Sequence, residues 1–128
     1  MREGAATAGR PVPRLTAIVP IALECEGHEP GTFALAGNAA HLQGPHHLDM
    51  LRRAGVGVGG GDLKADAQAL VEGGAFLGGD TDGLLARLSA YEKAGVDEVV
   101  LNVTGVFNVA GAQEAMSDLK RILAALSA

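Results

Sequence analysis

The stretch that decides the fold is GGDTDGLLARLSAYEKAGVDEVVLNV, residues 78–103. Asp80 or Thr81 can cap a helix whose leucines recur at the spacing of one helix face, and Gly95 is suited to end it. The apolar run within residues 96–103 then predicts a buried strand, covered on both faces. A helix, a short turn and a buried strand are typical of an α/β protein with a parallel sheet.

A final amphipathic helix is predicted over Ala110–Leu126. Its apolar residues form one stripe at helical spacing: Ala112, Ala115, Met116, Leu119, Ile122, Leu123 and Leu126. A parallel sheet needs many such βα units, and 128 residues hold few. We therefore expect the tail of a larger barrel.

Upstream, Leu15–Leu23 predicts a buried strand, although Pro20 counts against a central position because it cannot donate to the ladder. A weak helix is predicted over Thr32–Leu42, and Pro45 can begin a further helix that Gly55 ends.

The following segment, residues 55–61, is glycine-rich and predicts a flexible loop. Asp62 can cap a short helix that ends at residues 73–74, and Ala75–Leu77 predicts a very short strand.

Composition bounds the chain to one domain, residues 15–128, after a flexible lead-in over residues 1–14. The net charge is −5, and residues 62–128 carry five basic and ten acidic groups, which argues against a nucleic-acid partner. The single cysteine excludes an internal disulfide. We find no signal peptide and no apolar run of membrane-spanning length, so we expect no membrane partner and a cytoplasmic protein.

Three stretches resemble the C-terminal part of the luciferase-like flavin- or deazaflavin-dependent oxidoreductases. They are PRLTAIVPIAL (residues 13–23), GPHHLDMLRRAGV (44–56) and LGGDTDGLLARLSAYEKAGVDEVVLNV (77–103). The resemblance implies the C-terminal portion of a (β/α)8 TIM barrel that binds FMN or coenzyme F-420 at the carboxyl ends of its strands. It assigns this chain the last two strands, so we expect the barrel to be incomplete.

The resemblance further implies oxidoreductase or monooxygenase chemistry on a small organic substrate, with the isolated chain inactive and self-associating through exposed strand edges. Two alternatives stay open: a non-enzymatic α/β dimerisation module, and the tail of another phosphate-binding barrel.

Two polar groups are candidate cofactor sites. Gly78, Gly79, Asp80 and Thr81 form a glycine-rich turn into a helix, where a phosphate could bind, although a structural cap is the commoner role and the aspartates oppose an anion. The other group, Asn102 and Thr104, ends the last strand. For these two residues, lining a binding site and simply forming the turn after the strand are equally favoured interpretations.

Other candidates have weaker support, and no catalytic residue is assigned. We interpret His41, His46 and His47 as surface histidines and predict no metal, because adjacent histidines on a helix face different directions. The glycine run 55–61 lacks the strand–turn–helix context of a dinucleotide site. Cys25 is expected to be a small loop residue.

Overall fold

The chain forms a three-stranded parallel sheet with helices on both faces. A computed structural model describes all residues, 1–128. The elements in chain order are α1 (Arg2–Thr7), β1 (Thr16–Leu23), α2 (Pro30–Leu42), α3 (Pro45–Arg53), α4 (Leu63–Glu72), β2 (Leu77–Gly79), α5 (Thr81–Lys93), β3 (Glu98–Asn102), α6 (Thr104–Ala110) and α7 (Ala112–Leu126). The strand order is β2-β1-β3. The prediction of an α/β protein with a parallel sheet is confirmed.

The helix boundaries follow the caps that the sequence indicates. Asp62 Oδ1 accepts the Lys64 N–H at 2.9 Å at the start of α4, and Asp80 Oδ1 accepts the Gly83 N–H at 2.7 Å at the start of α5. Gly95 follows α5 with a φ of 91°, a conformation that favours glycine.

Pro20 lies in the central strand, contrary to the sequence-based expectation. The Glu24 N–H donates to the Gly79 carbonyl on the β2 side. Because every second N–H of a strand points to the same side, the position of Pro20 also faces β2. The β2 pairing begins only at Ile21, opposite Leu77, so the missing donor of Pro20 interrupts no hydrogen bond.

Three boundaries differ from those predicted. The short strand β2 begins two residues later than expected. The final helix, α7, begins at Ala112 instead of Ala110. It is preceded by α6, for which the sequence made no prediction, and Gly111, with a φ of 90°, separates the two helices. Within the lead-in, residues 2–7 form α1, and the Ala5 side chain is buried.

Two apolar cores lie on opposite faces of the sheet. Val19, Ile21 and Leu23 of β1 pack with α5 and α7 in a cluster completed by Leu77, Leu84, Leu88 and Ile122. We call this side the packed face. On the other side Ala22 of β1 joins a larger cluster from α2, α4, α6 and the neighbouring loops, which includes Phe33, Leu42, Leu70, Phe76 and Val106.

Two glycines allow α2 and α6 to approach each other closely. A Cβ on Gly37 would lie 3.1 Å from the Gly105 nitrogen, and a Cβ on Gly105 would overlap the Phe33 carbonyl group. The glycine that weakens the helical pattern of α2 is therefore a packing residue, and α2 and α6 together cover the carboxyl half of this sheet face.

The amino half of the same face is uncovered. Ile18 is 70% exposed, and its cross-strand partner Val100 is 44% exposed. The prediction that β3 is covered on both faces is therefore wrong. We call this side, where Ile18 and Val100 project, the open face.

The apolar stripe of α7 is only partly buried. Ala115 and Ile122 are enclosed, whereas Met116, Leu123 and Leu126 are each about half exposed. The helix thus carries an apolar surface for which the chain supplies no cover.

The glycine-rich segment 55–61 is tied to the fold at several points, although the sequence predicts a flexible loop. Val56 and Val58 are buried. Arg52 Nε donates to the Val58 carbonyl at 3.0 Å, and the buried carboxylate of Asp66 accepts the Gly59 N–H at 2.7 Å.

Candidate functional site

Two hollows adjoin on the open face and share Ile18 and Asn102. The first, between the sheet and α2–α3, has a volume of about 310 Å³, and we call it the α3 hollow. Its apolar wall includes Ile18, Pro20 and Met50, and its polar side chains are Asn38, His41, His47 and Asn102. No Asp, Glu, Lys or Arg side chain lines it.

The second hollow lies between β3, α6 and α7 and has a volume of about 470 Å³. This α7 hollow is lined mainly by apolar side chains, among them Val100, Phe107 and Met116, and also holds no charged group. Phe107 and Met116 are each about half exposed. The α7 hollow therefore extends the apolar surface of Ile18 and Val100 toward the last helix.

Asn102 lies at the junction of the two hollows. Its Oδ1 accepts two hydrogen bonds from Thr104, one from the backbone N–H at 3.0 Å and one from Oγ1 at 2.6 Å. The backbone N–H of Thr104 needs an acceptor, and only the amide oxygen of Asn102 can accept, so the oxygen and nitrogen of this amide are distinguished. The two N–H groups of Asn102 Nδ2 are then free to donate to another molecule. Asn102 thus forms the turn after β3 and also lines a hollow.

Asn38 is oriented by the same reasoning. Its Nδ2 donates to the Ala34 carbonyl one helical turn earlier, at 2.9 Å. A carbonyl requires a donor, so the Asn38 Oδ1 is the atom left to accept. The α3 hollow therefore contains one asparagine with a spare acceptor and one with a spare donor.

His41 and His47 form a stacked pair beside the α3 hollow. Their ring centroids are 4.7 Å apart, and the rings are 3° from parallel. His46 does not line the hollow. The chain contains no cluster of three or more histidine, cysteine, aspartate or glutamate side chains that could hold a metal ion.

The other predicted cofactor group, the glycine turn from Gly78 to Thr81, lies apart from Asn102 and Thr104. The two groups lie at the carboxyl ends of different edge strands, β2 and β3, which β1 separates, and neither hollow contains a residue of the glycine turn. A Cβ on Gly78 would lie 2.6 Å from the Pro30 Cβ, so this glycine permits close packing against α2. Asp80 caps α5 through its own carboxylate. The turn has a structural role at each position that the contacts describe.

A thiol and an imidazole meet after β1. Cys25 Sγ lies 4.0 Å from His28 Nδ1, and the His28 ring packs against Phe33 with centroids 5.5 Å apart. Cys25 is half-buried, as expected of a small loop residue. The pair adjoins neither hollow.

Asp118 is a buried carboxyl group on α7. Its Oδ2 accepts the Leu23 N–H at 3.2 Å. Leu23 ends β1 and lies beyond Pro20, the last residue of β1 that pairs with β3. Burial raises the pKa of Asp118 above its ordinary value, and the Leu23 hydrogen bond and the positive charge of Arg121 oppose that rise. The Asp118 carboxyl group therefore links α7 to the sheet through a hydrogen bond to β1.

A larger hollow, of about 1080 Å³, lies at the other end of the molecule. It is bounded by the lead-in and by the segment after α5, including Arg2, Arg14 and Asp97. Ligands of open α/β sheets bind at the carboxyl ends of strands, so this hollow at the amino end is the weaker candidate.

Comparison with known proteins leaves the chain without an identified relative. No family model, curated protein or solved structure matches it. None of the seven helices is both long and apolar enough to cross a membrane. The site must therefore be interpreted from its own geometry. The sequence predicted Asn102 as a candidate site residue but not Asn38, which also lines the α3 hollow. No sequence pattern around Asn38 distinguishes it from other polar residues of a helix.

Proposed function

We propose that the chain is the C-terminal part of a cytoplasmic luciferase-like oxidoreductase barrel. Such an enzyme uses FMN or coenzyme F-420 for redox chemistry on a small organic substrate, and this part is inactive alone. The proposal rests on the resemblance of three sequence stretches and on one structural observation. That observation is the unequal covering of the two faces of β1 and β3.

The unequal covering has the form that a barrel requires. In a (β/α)8 barrel one face of each strand packs against the outer helices, and the other face packs against inward-pointing side chains of the other strands. Here α5 and α7 cover Val19 and Ile21, whereas Ile18 and Val100 point from the opposite face into solvent. The strands with these side chains, β1 and β3, are parallel neighbours, as consecutive barrel strands are. In this proposal the uncovered amino half of the open face would be part of a barrel interior that further strands complete.

The position of β2 limits how the barrel could close. Only three residues of β2 pair with β1, at its carboxyl half, and Thr16–Pro20 have no partner on that side. A preceding barrel strand would occupy this edge of β1. Closure therefore requires β2 to leave the edge, which breaks a pairing of three residues and removes Leu77 from the core of the packed face.

The residues of this chain fit only part of a flavin or deazaflavin. The Gly78–Thr81 turn does not fit a phosphate, because Asp80 and Asp82 bring negative charge and Asp80 already accepts the Gly83 N–H. Asn102 fits the polar edge of a ring, because its amide donors are free beside an apolar wall. A bound cofactor would supply the electron transfer, and Asn102 would orient it.

The test is a fluorescence titration of the purified chain with FMN and with coenzyme F-420. We expect saturable binding of one of them, weakened by Asn102→Ala and unchanged in the matched variant Asp80→Asn. The second variant alters the glycine turn but retains an oxygen that can cap α5. The absence of saturable binding to either compound would contradict a cofactor site in these residues.

A second candidate, a non-enzymatic dimerisation module, is favoured by the same uncovered surface. Ile18, Val100, Phe107 and Met116 form a continuous apolar lining without charge, which a second copy could bury. A defined dimer that melts cooperatively and binds neither cofactor would support this candidate over the barrel. The third alternative, a phosphate-binding barrel tail, has no such support, because its expected anion site is acidic.

A further inference from the structure

We propose that the α3 hollow binds a small, neutral, planar molecule that carries an amide N–H and C=O side by side, as a lactam or imide does. The proposal rests on residues of this chain alone and does not depend on the barrel. The ligand would lie against Ile18 and Pro20, between Asn38 and Asn102.

The size and charge of the hollow define the ligand class. A volume of about 310 Å³ is at the lower end of the range for small-molecule sites and corresponds to about ten water molecules. A one- or two-ring compound matches this volume. No carboxylate, ammonium or guanidinium lines the hollow, so a ligand with a permanent charge would lose its hydration without gaining a permanently charged partner.

The two asparagines supply complementary hydrogen-bonding atoms. The bond from Asn38 to Ala34 leaves Oδ1 as an acceptor, and the bonds from Thr104 to Asn102 leave Nδ2 as a donor. A lactam offers the opposite pair, an N–H donor and a C=O acceptor. Because the protein bonds fix both amide orientations, the site offers both of the partners that a lactam requires.

The remaining wall suits a flat ring. His41 and His47 are already stacked in parallel, and both line the hollow. Stacking on such rings and contact with the apolar wall would hold the ligand plane, while the asparagines fix its orientation. Few polar groups beside a larger apolar surface are typical of small-molecule sites.

The test uses 2-quinolinone, a neutral bicyclic lactam, with N-methyl-2-quinolinone as the matched control. The two differ in the N–H that would donate to Asn38. Ligand-observed NMR titration against the full chain is expected to show saturable 2-quinolinone binding with a Kd of about 1 mM or tighter. The methylated compound is expected to bind at least about tenfold more weakly, the loss that one missing hydrogen bond produces.

Protein variants test the other partners. Asn102→Asp keeps the oxygen that Thr104 donates to but removes the amide donor, and it should weaken 2-quinolinone binding about tenfold or more. His47→Ala should weaken it as well, whereas His46→Ala, one residue away and outside the hollow, should not. Circular dichroism of each variant establishes that the fold is retained.

Three results would overturn the proposal: no saturable binding of 2-quinolinone, equal binding of the methylated compound, or equal loss in the two histidine variants. None of these results depends on the flavin titration, because that experiment uses different ligands. Failure of the barrel proposal and failure of this site are therefore distinguishable.

Discussion

The two faces of the central strand differ more than any other two regions of this molecule. Val19, Ile21 and Leu23 are enclosed by α5 and α7 on the packed face, whereas Ile18, three residues before Ile21 and on the open side of the pleat, is 70% exposed. The alternation of a strand places apolar side chains on both sides of β1. The chain buries Val19, Ile21 and Leu23 on one side of β1, whereas it covers the other side only at its carboxyl end.

This difference shows that an apolar residue in the sequence is not necessarily a buried residue in the structure. Large exposed apolar surfaces rimmed by polar residues mark contacts with other molecules. The packed face stabilises the fold of this chain, and the open face is available for a partner. Substitutions that are chemically alike should therefore have different consequences on the two faces.

The largest expected difference is between Ile21→Ala and Ile18→Ala. Ile21 is fully buried, and its truncation leaves a cavity, so the free energy of unfolding should fall by about 2–5 kcal/mol. At Ile18 the same truncation should cost less than about 1 kcal/mol, because the side chain is in solvent. Urea unfolding followed by circular dichroism measures both, and equal losses would contradict the distinction between the faces.

A smaller effect is expected where α2 and α6 cover the carboxyl half of the open face. Gly105→Ala places a Cβ against the Phe33 carbonyl, so it should lower the free energy of unfolding by about 1–3 kcal/mol. Gly57→Ala is the matched control, since no atom lies within 4 Å of its added Cβ. A thermal melt of Gly105→Ala that equals the wild type would show that the two helices are not closely packed.

An effect of similar size is expected at Asp118, which tests the packed face through pH. Asp118→Ala leaves the Leu23 N–H without an acceptor and should cost about 1–3 kcal/mol relative to Asp118→Asn, which retains one. Because the pKa of Asp118 is raised, the folded state holds a proton that the unfolded state has released. Its contribution to stability therefore falls as pH rises from the ordinary aspartate pKa of 3.8 through the raised pKa.

The Asn variant removes this dependence. Asp118→Asn should be more stable than the wild type near pH 7, and the difference should shrink as pH falls toward 3.8. The measurement is urea unfolding of both proteins at a series of pH values. A constant difference across the series would mean that burial does not raise the pKa.

Local chemistry made much of the fold predictable. The caps at Asp62 and Asp80 and the glycine at position 95 define helix ends through contacts within a few residues. The parallel βα order follows from them. Pro20 could not be placed in the same way, because its tolerance depends on where β2 begins to pair, some 57 residues later.

The candidate site was less predictable because its parts come from distant segments. Asn102 interrupts an apolar strand, which marks it in the sequence, and the structure places it beside Asn38 of α2 in one hollow. The glycine turn at residues 78–81 shows the converse, since a motif typical of anion binding serves here in packing and capping. Periodicity identifies the apolar stripe of α7, but it does not reveal what covers Met116 or Leu123.

The most direct test of the central claim, that the open face is a contact surface, is the mass of the chain in solution before and after Ile18→Lys. We expect sedimentation equilibrium of the wild type to show self-association and the variant to shift toward monomer, with its circular dichroism unchanged because the position is exposed. A monodisperse wild-type monomer with a sharp cooperative melt, unaffected by the substitution, would contradict the account.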